Sequence, residues 1–142
     1  MKRRLGISVL TVLLSLAAPL PAAQAAPLAA PRTAGGEVNA FFEEYRLAVL
    51  GEIDEYPKEI RAKTLPPPLD KGLDRWSAAH HGADPVFRAK NIPRTWSVRA
   101  ITGTTVSVTE TWYEGGTQEV RFTVRPHTLT ITAINDPPPT VG

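Results

Sequence analysis

One carboxylate stands where the surrounding pattern asks for an apolar side chain. Val106, Val108 and Trp112 alternate along the chain, and Glu110 falls on their face. A charge inside an apolar stripe must be paired, neutralised or set at an opening, because uncompensated burial is expensive. Glu110 is therefore the best-placed candidate for acid–base chemistry in a cavity. Tyr45 and Asp84 are candidate neighbours on the same wall, and Trp96 and Trp112 are candidate aromatic walls for a ligand. The competing reading ties Glu110 to Arg94 in a salt bridge, or leaves it solvated at a sheet edge. Asp84 also has a structural role open to it, since Asp before Pro85 folds back on its own backbone in a turn. Trp76, Trp96 and Trp112 each fit an apolar stripe and are expected in the core.

Other chemistries lack their residues. The chain has no cysteine, which excludes a disulfide framework, a thiolate zinc site and a cysteine nucleophile. It has no Gly-x-Ser-x-Gly, His-Glu-x-x-His, phosphate-binding glycine loop or dinucleotide fingerprint. His80, His81 and Asp84 are suitable ligand types, but neighbouring helical residues point about 100° apart. That pair is expected to cap a helix or face solvent, so no metal or cofactor is expected. The charged run from Glu52 to Arg61 is expected to be a solvated helix surface.

The 142 residues carry a formal charge of +2. Lys2, Arg3 and Arg4 open an apolar run, Leu5 to Ala18, followed by Pro19-Leu20-Pro21 and the small-x-small pattern Ala23-Gln24-Ala25. Residues 1–25 are expected to be a secretory signal peptide, with cleavage after Ala25 or Ala26. Without the three leader cations, 13 basic residues face 14 acidic ones, a net charge of −1. Nucleic-acid binding needs a basic face and loses its support. The run is too short to span a bilayer, which needs roughly 20 residues. Residues 26–35 are expected to be a disordered Ala/Pro linker, 36–136 one α+β domain and 137–142 a Pro-rich tail.

The first half of that domain is helical. Val38, Phe41, Phe42, Tyr45, Ala48 and Val49 recur at three- and four-residue steps, with Gly51 as a stop. Short helices are expected at about 57–64 and 69–81, after Pro57 and the run Pro66-Pro67-Pro68. From Thr95 the period changes to two. Four strands are expected, with apolar faces Trp96/Val98/Ala100, Val106/Val108/Trp112, Val120/Phe122/Val124 and Leu129/Ile131/Ala133. Helices followed by strands argue helices packed on a four-stranded, curved antiparallel sheet. A three-residue turn at Glu114-Gly115-Gly116 would pair 110 with 120, and a two-residue turn at Pro126-His127 would pair 120 with 133. The first hairpin would pair 98 with 106 and 94 with 110, so Glu110 lies in a row with Arg94, Val120 and Ala133.

The segment Asp84-Pro85-Val86-Phe87-Arg88-Ala89-Lys90-Asn91-Ile92-Pro93-x-x-Trp96 is the most specific part of the pattern. With the leader, Phe42-x-x-Tyr45-Arg46-x-Ala48 and the closing Leu129-x-Ile131-x-x-Ile134, it resembles an exported bacterial family catalogued as domain of unknown function 3828. The likeness covers about 36–135, and the chain is short between Gly51 and Pro68. The resemblance implies a nuclear transport factor 2-like cone, a fold whose sheets often pair into homodimers. It carries over no catalytic residue, because cones host enzymes, binders and interaction modules alike. The expectation is an exported, non-catalytic domain binding a small molecule or a protein through a cone pocket. The alternatives are an envelope protein with a filled core and a small enzyme using Glu110.

Overall fold

Thr33 starts the fold. Its hydroxyl accepts a hydrogen bond from Gly36 N at 3.0 Å and caps helix α1, Ala34–Leu50. In this computed structural model, residues 15, 17–19 and 30–139 are described. Most of the expected signal peptide and residues 26–29 of the expected linker lie outside the described residues; a compact unit begins at Pro31, and residues 34 and 35, expected in the linker, already belong to α1. Helix α1 ends at Gly51, whose N–H donates to Ala48 O while Glu52 N–H donates to Leu47 O. Its apolar stripe, Val38, Phe41, Phe42, Tyr45 and Ala48, is buried. Helices α2, Pro57–Thr64, and α3, Pro67–Ala79, follow. Each starts on proline, which lacks the N–H that a first turn would leave unbonded. No helix among the described residues is long and apolar enough to cross a membrane.

Four antiparallel strands follow in sequential order: β1 Thr95–Ala100, β2 Thr105–Thr111, β3 Thr117–Val124 and β4 Ile131–Asn135. The architecture is α+β, as expected. Helix α1 packs on β1 and β2, and α2 joins α1 to α3. Val106, Val108, Val120, Phe122 and Val124 face the helices and are fully buried. Removing a side chain of that size from water contributes about 1.5–3 kcal/mol. Phe42 touches three other rings, Phe87, Trp96 and Phe122, at centroid distances of 5.3, 5.3 and 6.4 Å. The space between α1 and the sheet is occupied by these rings.

The registers differ from the expected ones. Val108 pairs with Val120 and Glu110 with Gln118, so the β2–β3 parity holds but the pairing slides by two. The physical reason is the turn, which uses Trp112 to Gly116: Trp112 N–H donates to Gly116 O at 3.2 Å and Thr111 pairs with Thr117. Trp112 thus leaves the strand. On the other side Val98 pairs with Val108 and Trp96 with Glu110. Arg94 is exposed one residue before β1, so it is not the partner of Glu110. Between Thr123 and Val124 of β3 the register with β4 shifts at a bulge, which changes the parity. Phe122 pairs with Ile134, and Ala133 does not share the row of Glu110. Leu129 lies before the strand with φ 56°. Within the charged run 52–61, Ile60 and Arg61 are buried, which corrects the expectation of a wholly solvated surface.

Candidate functional site

The six candidate residues fall in three places. The first is the interior, where β2 carries Glu110 inward beside Trp96 and Gln118. Glu110 is fully buried. Gln118 Nε2 donates to its Oε2 at 3.2 Å, while its Oε1 has no hydrogen-bond partner among the described residues. Burial pushes the carboxyl up to about 9, against the Gln118 hydrogen bond and with help from the Asp84 charge. At neutral pH the group is therefore a neutral acid.

Asp84 and Tyr45 form the neighbouring pair. Tyr45 OH donates to Asp84 Oδ2 at 2.9 Å. Asp84 Oδ1 accepts from Val86 N at 2.8 Å and from Phe87 N at 2.9 Å, and Asp84 N donates to Ala89 O at 2.8 Å. Asp84 is thus the knot of the turn expected at Asp-Pro. Burial raises its pKa, opposed by the Phe87 N–H, the Tyr45 hydroxyl, the Val86 N–H and the Arg61 charge. Burial and the Asp84 charge also raise the Tyr45 phenol well above its ordinary value. The turn buries Val86 and Phe87 and puts Arg88 in the left-handed region at φ 54°.

The second place is a groove at the start of β1. Trp96 packs on Phe42 and its Nε1 donates to Asn39 Oδ1 at 2.9 Å, with the Arg46 guanidinium 5.6 Å from its ring centre. Trp96, Arg94, Thr95, Asn39 and Glu43 line a depression of about 350 Å³.

The third place is the β2–β3 turn. Asn91, Ile92, Trp112, Tyr113 and Glu114 line a depression of about 270 Å³. Ala89, Asn91, Trp112, Glu114, Gly115 and Gln118 line another of about 270 Å³. The two share Asn91, Trp112 and Glu114, so they flank the same side chains. Trp112 is partly buried and Tyr113 is 68 % exposed. Neither depression has Glu110, Tyr45 or Asp84 in its wall. The structure therefore brings Glu110, Tyr45 and Asp84 together in the interior and sets Trp112 apart from Trp96 and Arg94. None of the three tryptophans is fully buried, because Trp76 too is partly exposed and donates Nε1–H to Asp136.

Three residues around these places are not singled out as site residues by the sequence pattern, although Arg88 and Asn91 lie in the Asp84-to-Trp96 segment. Gln118 is legible there only as a polar residue continuing the Val120/Phe122/Val124 stripe. Asn91 has no periodicity to expose it. Arg88 holds its guanidinium 4.4 Å over the Trp76 ring and donates from Nη2 to Ile134 O. Its Nε stands 3.5 Å from Asp136 without a hydrogen bond. Burial lowers its pKa, against the charges of Asp136 and Asp84. His80 stacks on the same indole at 3.9 Å, at the exposed end of α3.

No protein-family model, curated protein or solved structure matches the chain.

Proposed function

We propose that this is an exported, non-catalytic binding domain that takes a small ligand over Trp112, at the β2–β3 end of a cone-like sheet. One observation carries the reading. The two depressions that share Trp112 combine aromatic rings with amide and carboxylate side chains, a mixture suited to holding and orienting a small molecule. Glu110 supports the non-catalytic side of it. The carboxyl is fully buried, behind Gln118, and is kept in the protonated form that cannot act as a base. Export and the family resemblance rest on the leader pattern and on the Asp84-to-Trp96 segment. The second reading, an envelope protein with a filled core, draws on the ring packing around Phe42.

The test is mass spectrometry of small molecules co-purifying with the wild type and with Trp112→Ala. A species carried by the wild type and missing from the variant is expected. The same species in both preparations overturns the site, and none in either favours the filled-core reading.

A further inference from the structure

What the Trp112 depression selects follows from its wall, and rests on the reading just given. Gln118 fixes one half of the answer. Its Nε2 lies 3.0 Å from Phe87 O, 3.4 Å from Arg88 O and 3.2 Å from Glu110 Oε2. Two of those oxygens are backbone carbonyls, which only accept, so the amide cannot be turned over without losing bonds to both. Its NH₂ is committed inward. Its carbonyl oxygen is left as the group Gln118 can offer to the depression it lines. Glu110 sits opposite Gln118 in the sheet and holds the amide from the buried side.

The rest of the wall points the same way. In the depression that Gln118 lines, Glu114 brings a carboxylate, Asn91 an amide and Trp112 a ring whose face attracts cations. No lysine or arginine lines either depression. An anionic ligand would meet Glu114 without a counter-charge. A ligand of acceptors alone would find the Gln118 oxygen unable to answer it.

We propose that the depression over Trp112 binds an organic amine as its ammonium ion. The ammonium donates N–H to Gln118 Oε1 and Glu114 and rests its charge or alkyl stem against Trp112. The Phe87 and Arg88 carbonyls fix the amide, and Glu110 Oε2 is a third acceptor on the same NH₂.

Titration calorimetry of the purified protein with spermidine, choline, maltotriose and inorganic phosphate tests this. Spermidine is expected to bind, and choline, which has no N–H, about tenfold more weakly. Maltotriose and phosphate are expected to give no heat. Trp112→Ala weakens spermidine by about tenfold and Glu114→Gln by about two- to fivefold. Gln118→Leu removes the oxygen that accepts N–H and brings the spermidine-to-choline ratio toward one, whereas Glu110→Gln, which still accepts from Gln118, preserves it. Trp112-dependent binding of maltotriose or phosphate without spermidine overturns the amine and leaves the depression standing as the site. Spermidine binding unmoved by Trp112→Ala and Glu114→Gln overturns both. No binding by any probe overturns the amine.

Discussion

Gln118 separates the buried carboxyl of Glu110 from the depression that Gln118 itself lines, with its Nε2 3.2 Å from Glu110 Oε2. A charged-type residue on the apolar face of β2 thereby becomes a neutral prop for a side chain on the neighbouring strand. Burial without full hydrogen bonding destabilises such a group, so its presence carries consequences for pH and for stability.

Stability should fall as pH rises. Glu110 keeps its proton in the folded protein up to about 9, and an ordinary glutamate releases it near 4.5. Between those values the unfolded chain binds fewer protons than the folded one, so each pH unit costs up to about 1.4 kcal/mol from this group. The contribution is full below the lower value and lost above the upper one. Asp84, also raised by burial, acts in the same direction. Urea unfolding of the wild type and Glu110→Gln across that range should show a steeper fall for the wild type.

Tyr45→Phe should cost about 1–3 kcal/mol, because Asp84 Oδ2 loses the hydroxyl that donates to it in a partly buried site. A lowered urea midpoint with an unchanged slope is the expected result. An unchanged midpoint would show that the Tyr45–Asp84 bond contributes nothing net.

Arg61 ties α2 to α3. Its Nε donates to Asp70 Oδ1 at 2.7 Å, and its Nη2 donates to Asp70 O and Asp74 Oδ1, both at 2.8 Å. Burial opposes its charge, but the hydrogen bonds to Asp74 and Asp70 outweigh it and raise its pKa. Lysine cannot reproduce that fork, so Arg61→Lys should cost roughly 1–3 kcal/mol. Asp74→Asn should cost less, about 0–1 kcal/mol, because the Asp74 side chain is 50 % exposed. Thermal unfolding of the two variants checks the order.

The turn that presents Trp112 depends on backbone only glycine adopts freely. Gly115 and Gly116 have φ of 91° and 83°, and a Cβ on either meets nothing within 4 Å. Alanine there should cost about 1–2 kcal/mol through the backbone alone. The double variant should also weaken ligand binding by displacing Trp112, which calorimetry would detect.

Much of this architecture is legible in the residues themselves. The i, i+3, i+4 stripe of α1 is visible from Val38 to Val49, and the apolar alternation places Glu110 on the inner face. Parity says which face a residue takes but not how far a strand has slid. A five-residue turn instead of a three-residue one moves the partner of Glu110 from Val120 to Gln118. The same limit hides β4, where positive φ at His127 and Leu129 and a bulge put Ile134 inward. Arg61 is unreadable for another reason. Its carboxylate partners lie on a separate helix, so nothing in the local charge pattern marks it for burial.

The three indole N–H groups offer the most direct measurement. Trp76 Nε1 is bonded to Asp136 and Trp96 Nε1 to Asn39, while Trp112 lines the depression. In a proton–nitrogen correlation spectrum recorded during spermidine titration, the Trp112 indole signal should shift, with Trp76 and Trp96 unmoved. A stationary Trp112 signal, with or without movement of Trp96, would contradict a binding site over Trp112.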